Sequence, residues 1–72
     1  MTDETIQKVL AIVKEEICSN DITPETTFIE LGVDSLDFLC IINRVRNEVG
    51  PIKDFMIGSI EKVIDLAAAI AI

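Results

Sequence analysis

The chain of 72 residues has no histidine, no tryptophan and no tyrosine. Without an imidazole it lacks the commonest general base, which weighs against nucleophilic catalysis of the serine–histidine kind and against a histidine-rich metal centre. The only cysteines, Cys18 and Cys40, are too far apart in sequence to form a close metal-binding pair. The N-terminus, MTDETIQKVL, is acidic and amphipathic rather than basic and then apolar, so it does not read as a signal peptide. The two thiols are therefore expected to be reduced and the protein cytoplasmic. The apolar tail IDLAAAIAI is too short to span a bilayer, and no membrane insertion is expected. Basic residues are also scarce: six face thirteen acidic ones, for a net charge of −7. Such a chain is repelled by nucleic acid and by anionic lipid, which leaves a basic protein surface as its natural complement, or solubility alone as the use of the charge.

What remains is half apolar, with Phe28, Phe38 and Phe55 as the whole aromatic complement. The core is thus expected from Ile, Val, Leu and Ala. One domain over 1–72 is expected, with too little chain for a deep catalytic cleft.

Hydrophobic periodicity predicts helices throughout. From about Thr2 to Cys18, Thr2 caps a helix whose first turn carries Asp3 and Glu4. Ile6, Val9, Leu10, Val13 and Ile17 form one stripe, with Ile12 off it. Residues 19–34 form a long connection broken by Pro24 and Gly32, and Ile22, Phe28 and Leu31 are its expected anchors in the core. A second helix starts at Ser35 with Asp34 as its cap and Asp37 three residues later. Phe38, Ile41, Ile42, Val45 and Val49 share its core face. Leu36 and Leu39 fall on the opposite side with Cys40, Asn43, Arg46 and Asn47. Gly50-Pro51 ends that helix. A short turn over 52–58 is expected to carry Phe55, Met56 and Ile57 inward. Ser59 is expected to cap a last helix running to about Ala71, with Ile60, Val63, Ile64, Ala67 and Ile70 facing the core. No period-2 run is bounded by hairpin turns. The expected fold is all-α: three main helices and one short helix in a small bundle, with a long loop between the first two.

Asp34-Ser35-Leu36 invites two readings. In the plainer one, Asp34 caps a helix, Ser35 is a small polar residue in its first turn, and Leu36 is an incidental surface leucine. In the other, a long anchored loop ending in Leu-Gly delivers a serine to a helix start beside two outward leucines.

That arrangement resembles the acyl carrier protein family, whose signature is Leu-Gly-x-Asp-Ser-Leu at the head of the second helix. Leu31-Gly32-Val33-Asp34-Ser35-Leu36 matches every fixed position, Asp37 matches a frequent acidic follower, and the order of helices and loop fits over nearly the whole chain. The resemblance implies a carrier with no catalytic activity of its own. It would hold acyl intermediates as thioesters on a 4′-phosphopantetheine arm attached covalently to Ser35, with Asp34 helping to present the serine. It further implies a monomer served by a phosphopantetheinyl transferase, by an acyl-loading ligase and by synthase-type enzymes of fatty-acid, polyketide or related biosynthesis. Leu36, Asp37, Leu39, Cys40, Asn43 and Arg46 would meet those partners, and Ile41, Ile57 and Ile64 could line a pocket for the cargo.

The chain departs from the family pattern in two ways. Its second helix and cap keep only Asp34, Asp37 and Glu48 as acids, and Cys40, Asn43, Arg46 and Asn47, with Arg44 nearby, stand where fatty-acid carriers are strongly acidic. The loop before the signature is one residue shorter, closer to peptidyl carrier domains. A specialised carrier is therefore expected, binding a standard ketoacyl synthase weakly and with little response to salt. The alternatives are an aminoacyl or peptidyl carrier, a helical interaction module whose Ser35 is never modified, and a hydrolase with Ser35 as nucleophile. The last lacks a base.

Overall fold

The computed structural model describes residues 2–70, and its first helix, α1, spans Asp3–Ile17. Thr2 caps it: its Oγ1 accepts the Thr5 N–H at 3.2 Å. Asp3 and Glu4 sit at the positive end of the helix and Lys14 in its last turn, the charge order that the backbone dipole favours. The helix closes on Cys18, whose N–H bonds the Lys14 carbonyl from a left-handed backbone with φ of 59°. A side chain in that region costs about 1 kcal/mol, so glycine usually occupies it.

Val9, Leu10 and Val13 of the expected stripe are buried, with Ile6 and Ile17 half-buried against them. Ile12, expected off the stripe, is buried as well. The reason is that α1 packs on two partners, α2 (Ser35–Glu48) and α3 (Val63–Ala68), and so covers more than one face.

The long connection is held by its apolar anchors and by backbone pairing. Ile22 and Phe28 are buried and Leu31 packs half-buried on the core. The loop also pairs with the chain entering α3. Phe28 N–H donates to the Glu61 carbonyl at 2.9 Å, Val63 N–H to Thr26 at 3.0 Å and Ile64 N–H to Pro24 at 2.9 Å. Those bonds satisfy backbone groups that a free loop would leave to water, and they offset the entropy of ordering it.

On α2, Ile41, Ile42 and Val45 form the buried face, with Phe38 and Val49 half-buried at its margins. Val49 and Gly50 both donate their N–H groups to the Val45 carbonyl, at 2.8 and 3.0 Å. Gly50 ends the helix without a left-handed backbone; of the glycines, only Gly32 has positive φ. Its missing side chain serves close packing instead, because a Cβ there would stand 3.3 Å from Ile70 Cγ2.

A 3₁₀ turn over Asp54–Ser59 follows, with Met56 and Ile57 packed on the core. The side chain of Phe55 lies outside the described residues, as does the expected helix end at Ala71. The expected cap at Ser59 is corrected: Ser59 closes the 3₁₀ turn, and α3 begins only at Val63. Residues 60–62 are held extended by the pairing with the loop, a bond pattern that helical periodicity cannot report. Lys62 takes the cap position, and the Asp65 carboxylate reaches back to accept the N–H groups of Glu61 and Lys62 at 3.1 and 2.9 Å. Those two donors hold Asp65 below the usual carboxylate range. Val63, Leu66, Ala67, Ala69 and Ile70 are buried, and Ile60 and Ile64 half-buried.

The architecture is all-α, as expected. Among the described residues β pairing is limited to two isolated bridges, Thr27 with Lys62 and Ile52 with Ile70, and no helix is long and apolar enough to cross a membrane.

Candidate functional site

Ser35 is the first residue of α2, and its position follows from the cap beside it. Asp34 lies in extended conformation, and its Oδ1 accepts the Asp37 N–H at 2.9 Å while its carbonyl accepts the Phe38 N–H at 2.9 Å. The N–H groups of Ser35 and Leu36 find no partner among the described residues, and they mark the positive end of the helix. The Ser35 side chain is exposed and its hydroxyl makes no hydrogen bond among the described residues.

The approach to the serine is tightly built. Thr27 N–H donates to Glu30 Oε1 at 2.6 Å while Glu30 N–H donates to Thr27 Oγ1 at 3.2 Å. Gly32, at φ of 71°, gives its N–H to the Ile29 carbonyl at 3.0 Å, and Val33 N–H bonds Phe28 at 3.2 Å. Only glycine takes that φ without steric cost, which accounts for the Leu-Gly step before the signature serine. Beneath this corner the Phe28 ring meets Phe38 edge to face, with centroids 5.3 Å apart. The loop is thereby fixed to the first turns of α2.

A shallow groove of about 230 Å³ opens beside the serine, lined by Phe28, Ile29, Val33, Phe38, Ile57 and Ile60 and reaching Asp34 and Ser35. Of the residues suggested for a cargo pocket, Ile57 lines this groove; Ile41 is fully buried in the core and Ile64 is half-buried elsewhere. A second groove, of about 270 Å³, lies along the α1–α2 seam at Ile12, Arg44 and Glu48, and no serine or cysteine lines it.

On the outward face of α2, Leu36 is 74% and Leu39 55% exposed. Asp37, Cys40, Asn43 and Arg46 are exposed with them. The two arginines are committed within the fold. Arg44 binds Glu48 at 2.8 Å, Glu15 at 3.1 Å and Glu16 at 3.2 Å, which raises its pKa further and holds Glu48 below the usual carboxylate range. Arg46 binds Asp54 at 2.8 Å. Ile29 escaped the sequence reading. It is 87% exposed at the groove's edge, and its signal was an isoleucine trapped between an anchor, Phe28, and a turn glycine. No group of three or more metal-ligating side chains is present among the described residues.

Comparison with known proteins agrees with this geometry. The family described as "Phosphopantetheine attachment site" matches residues 5–70. Norsolorinic acid synthase of Emericella nidulans is 35% identical over 63 residues, which cover 85% of this chain but 3% of the synthase. Polyketide synthase 2 of Metarhizium guizhouense is 42% identical over 50 residues, 67% of this chain and 2% of that protein. A chloroplastic acyl carrier protein of Brassica napus is 40% identical over 50 residues, 65% of this chain and 37% of that protein. The chain thus spans a small part of the curated relatives it matches. No solved structure matches it. With the family matched across residues 5–70 and a serine presented at the head of α2, the chain belongs to the phosphopantetheine attachment family.

Proposed function

We propose that residues 1–72 form one monomeric carrier domain. It holds acyl intermediates of fatty-acid or polyketide synthesis on a 4′-phosphopantetheine arm borne by Ser35, and it works in the cytoplasm without catalysing a reaction itself. One observation carries this reading: the Ser35 hydroxyl is exposed and without a hydrogen bond at the electropositive head of α2. A phosphodiester on that oxygen lies beside the free N–H groups of Ser35 and Leu36, a favourable place for negative charge. The chain has no histidine, and Asp34 serves the fold as the cap of α2 through its Oδ1. Arm transfer forms the Ser35 Oγ–P bond and breaks the pyrophosphate bond of coenzyme A, whose adenosine bisphosphate half leaves. The hydroxyl proton passes to a base of the transferring enzyme, and Ser35 contributes position rather than reactivity. When bound, the arm supplies a terminal thiol that carries the cargo as a thioester. The apolar groove beside Ser35 offers cover to whatever apolar part of the arm or cargo lies along it.

Two features favour a dedicated synthase over the general fatty-acid enzymes. Beyond Asp37 the outward face of α2 presents Cys40, Asn43 and Arg46 rather than a row of acids, and the relatives include proteins named as polyketide synthases. The test is to incubate the protein with coenzyme A, magnesium and a broad-specificity phosphopantetheinyl transferase, and to measure its mass. One phosphopantetheine is expected on the wild type and none on Ser35→Ala, whose exposed position leaves the fold unchanged. A folded wild type that gains no mass points instead to an unmodified interaction module. Ester hydrolysis that disappears in Ser35→Ala points to a hydrolase.

A further inference from the structure

Resting on the carrier reading, we infer that Ile29 is a specificity-determining contact for the enzyme that installs the arm, gripping the carrier on the loop side of Ser35 while Leu36 is gripped on the helix side. Ile29, Leu36 and Leu39 are the large apolar side chains that stand most exposed among the described residues, and Ile29 is the most exposed of them at 87%. All three lie close to Ser35: Leu36 and Leu39 follow it on α2, and Ile29 lines the same groove as the serine. An apolar side chain left in water gains nothing for the fold, and exposed apolar groups gathered at one place mark a contact surface.

The mounting of Ile29 sets it apart from a loosely tethered surface residue. The reciprocal Thr27–Glu30 bonds, the Gly32 N–H on its own carbonyl and the buried Phe28 before it fix the turn on both sides. A rigid apolar projection loses little entropy when it is covered. Two contact points, one on the loop and one on the helix, also set rotation about the α2 axis, which one helix face alone leaves free. That rotation decides where Ser35 Oγ points.

Charge indicates what covers the patch. Glu30, Asp34 and Asp37 surround it, and no basic side chain is paired with any of them among the described residues. These carboxylates repel the anionic coenzyme A that must deliver the arm. The fitting occupant is therefore a protein surface with an apolar hollow rimmed by cations, which neutralises the acids and brings the donor with it.

The experiment is steady-state kinetics of arm transfer from coenzyme A to Ile29→Ala, Ile29→Asp and Ile29→Val, with melting curves and sedimentation of each. Ile29→Ala is expected to raise the KM for the carrier about tenfold, as loss of a well-covered interface anchor does, with Ile29→Asp worse and Ile29→Val close to wild type. Melting temperatures are expected to stay unchanged. Wild-type kinetics in Ile29→Asp overturn the inference, as does a weakened transfer that tracks a lowered melting temperature, which assigns Ile29 to the fold. A wild-type dimer that Ile29→Asp dissociates also overturns it, because the patch is then covered by a second copy. If the wild type itself accepts no arm, the carrier reading fails with it, an outcome separate from a modified wild type whose Ile29 variants match it.

Discussion

The two ends of α2 are built to opposite plans. At its head, Ser35, Leu36, Asp37 and Leu39 are all exposed, and none has an ion-pair partner among the described residues. Toward its tail, Ile41, Ile42 and Val45 are buried, Arg44 is tied to two glutamates of α1 and to Glu48, and Arg46 is tied to Asp54. One helix thus divides anchoring from presentation along its length. The tail fixes the direction of the axis, while at the head Phe38 alone packs inward, on Phe28, and the outward side chains stay free of ties among the described residues.

The sharpest way to break this comparison is to make the same change at both ends. Ile41→Ala removes a fully buried side chain and is expected to lower stability by about 2 to 5 kcal/mol, enough to unfold much of so small a domain. Leu36→Ala, at a side chain 74% exposed, is expected to shift stability by no more than about 0.5 kcal/mol while weakening arm transfer. Urea titration and transfer kinetics read the two effects; equal losses of stability would erase the distinction between head and tail.

Asp34 joins the two roles, since it caps α2 and adjoins Ser35. Asp34→Ala is expected to cost about 1 kcal/mol by removing the acceptor of the Asp37 N–H, whereas Asp34→Asn keeps an acceptor and most of the stability. If Asp34→Asn nevertheless slows arm transfer, the carboxylate's charge acts on the transferring enzyme apart from its cap.

The smallest effect is expected at Arg44, which bonds exposed carboxylates. Arg44→Gln should lower the melting temperature slightly at low salt and less at high salt. Its pH signature is firmer. Glu48 is held below its ordinary value by Arg44, so the stability it contributes is present above the ordinary carboxylate pKa and fades as pH falls through the lower, folded value. Arg44→Gln should flatten that part of the acid-unfolding curve; an unchanged curve would show that the clamp adds nothing in solution.

How far the sequence revealed this molecule depended on whether local or distant atoms set the structure. The bounds of α1, the start of α2, the Asp34 cap and the outward leucines all follow from neighbours within one helical turn, and all were legible. Ile12 was not, because a single-stripe pattern assumes one packing partner and α1 has two. The late start of α3 was hidden for a related reason. Ile60 continues the helical spacing, but the bonds that hold 60–62 extended come from Thr26 and Phe28, far back in the chain. At the site, the serine and its cap were readable from the motif, while the prominence of Ile29 depended on a turn locked by Glu30 and Gly32. The sequence did not show that Arg44 ties α2 to α1, nor that Arg46, expected to meet partners and still exposed, pairs with Asp54.

The pairing between the loop and the chain before α3 has one more consequence. A helix of six residues cannot nucleate by itself, and two of its first N–H groups close on Thr26 and Pro24 rather than on the helix. The strand-like contact that starts α3 also steadies the corner leading to Ser35. The same three backbone bonds thus serve the start of α3 and the corner before Ser35, and breaking them would release both.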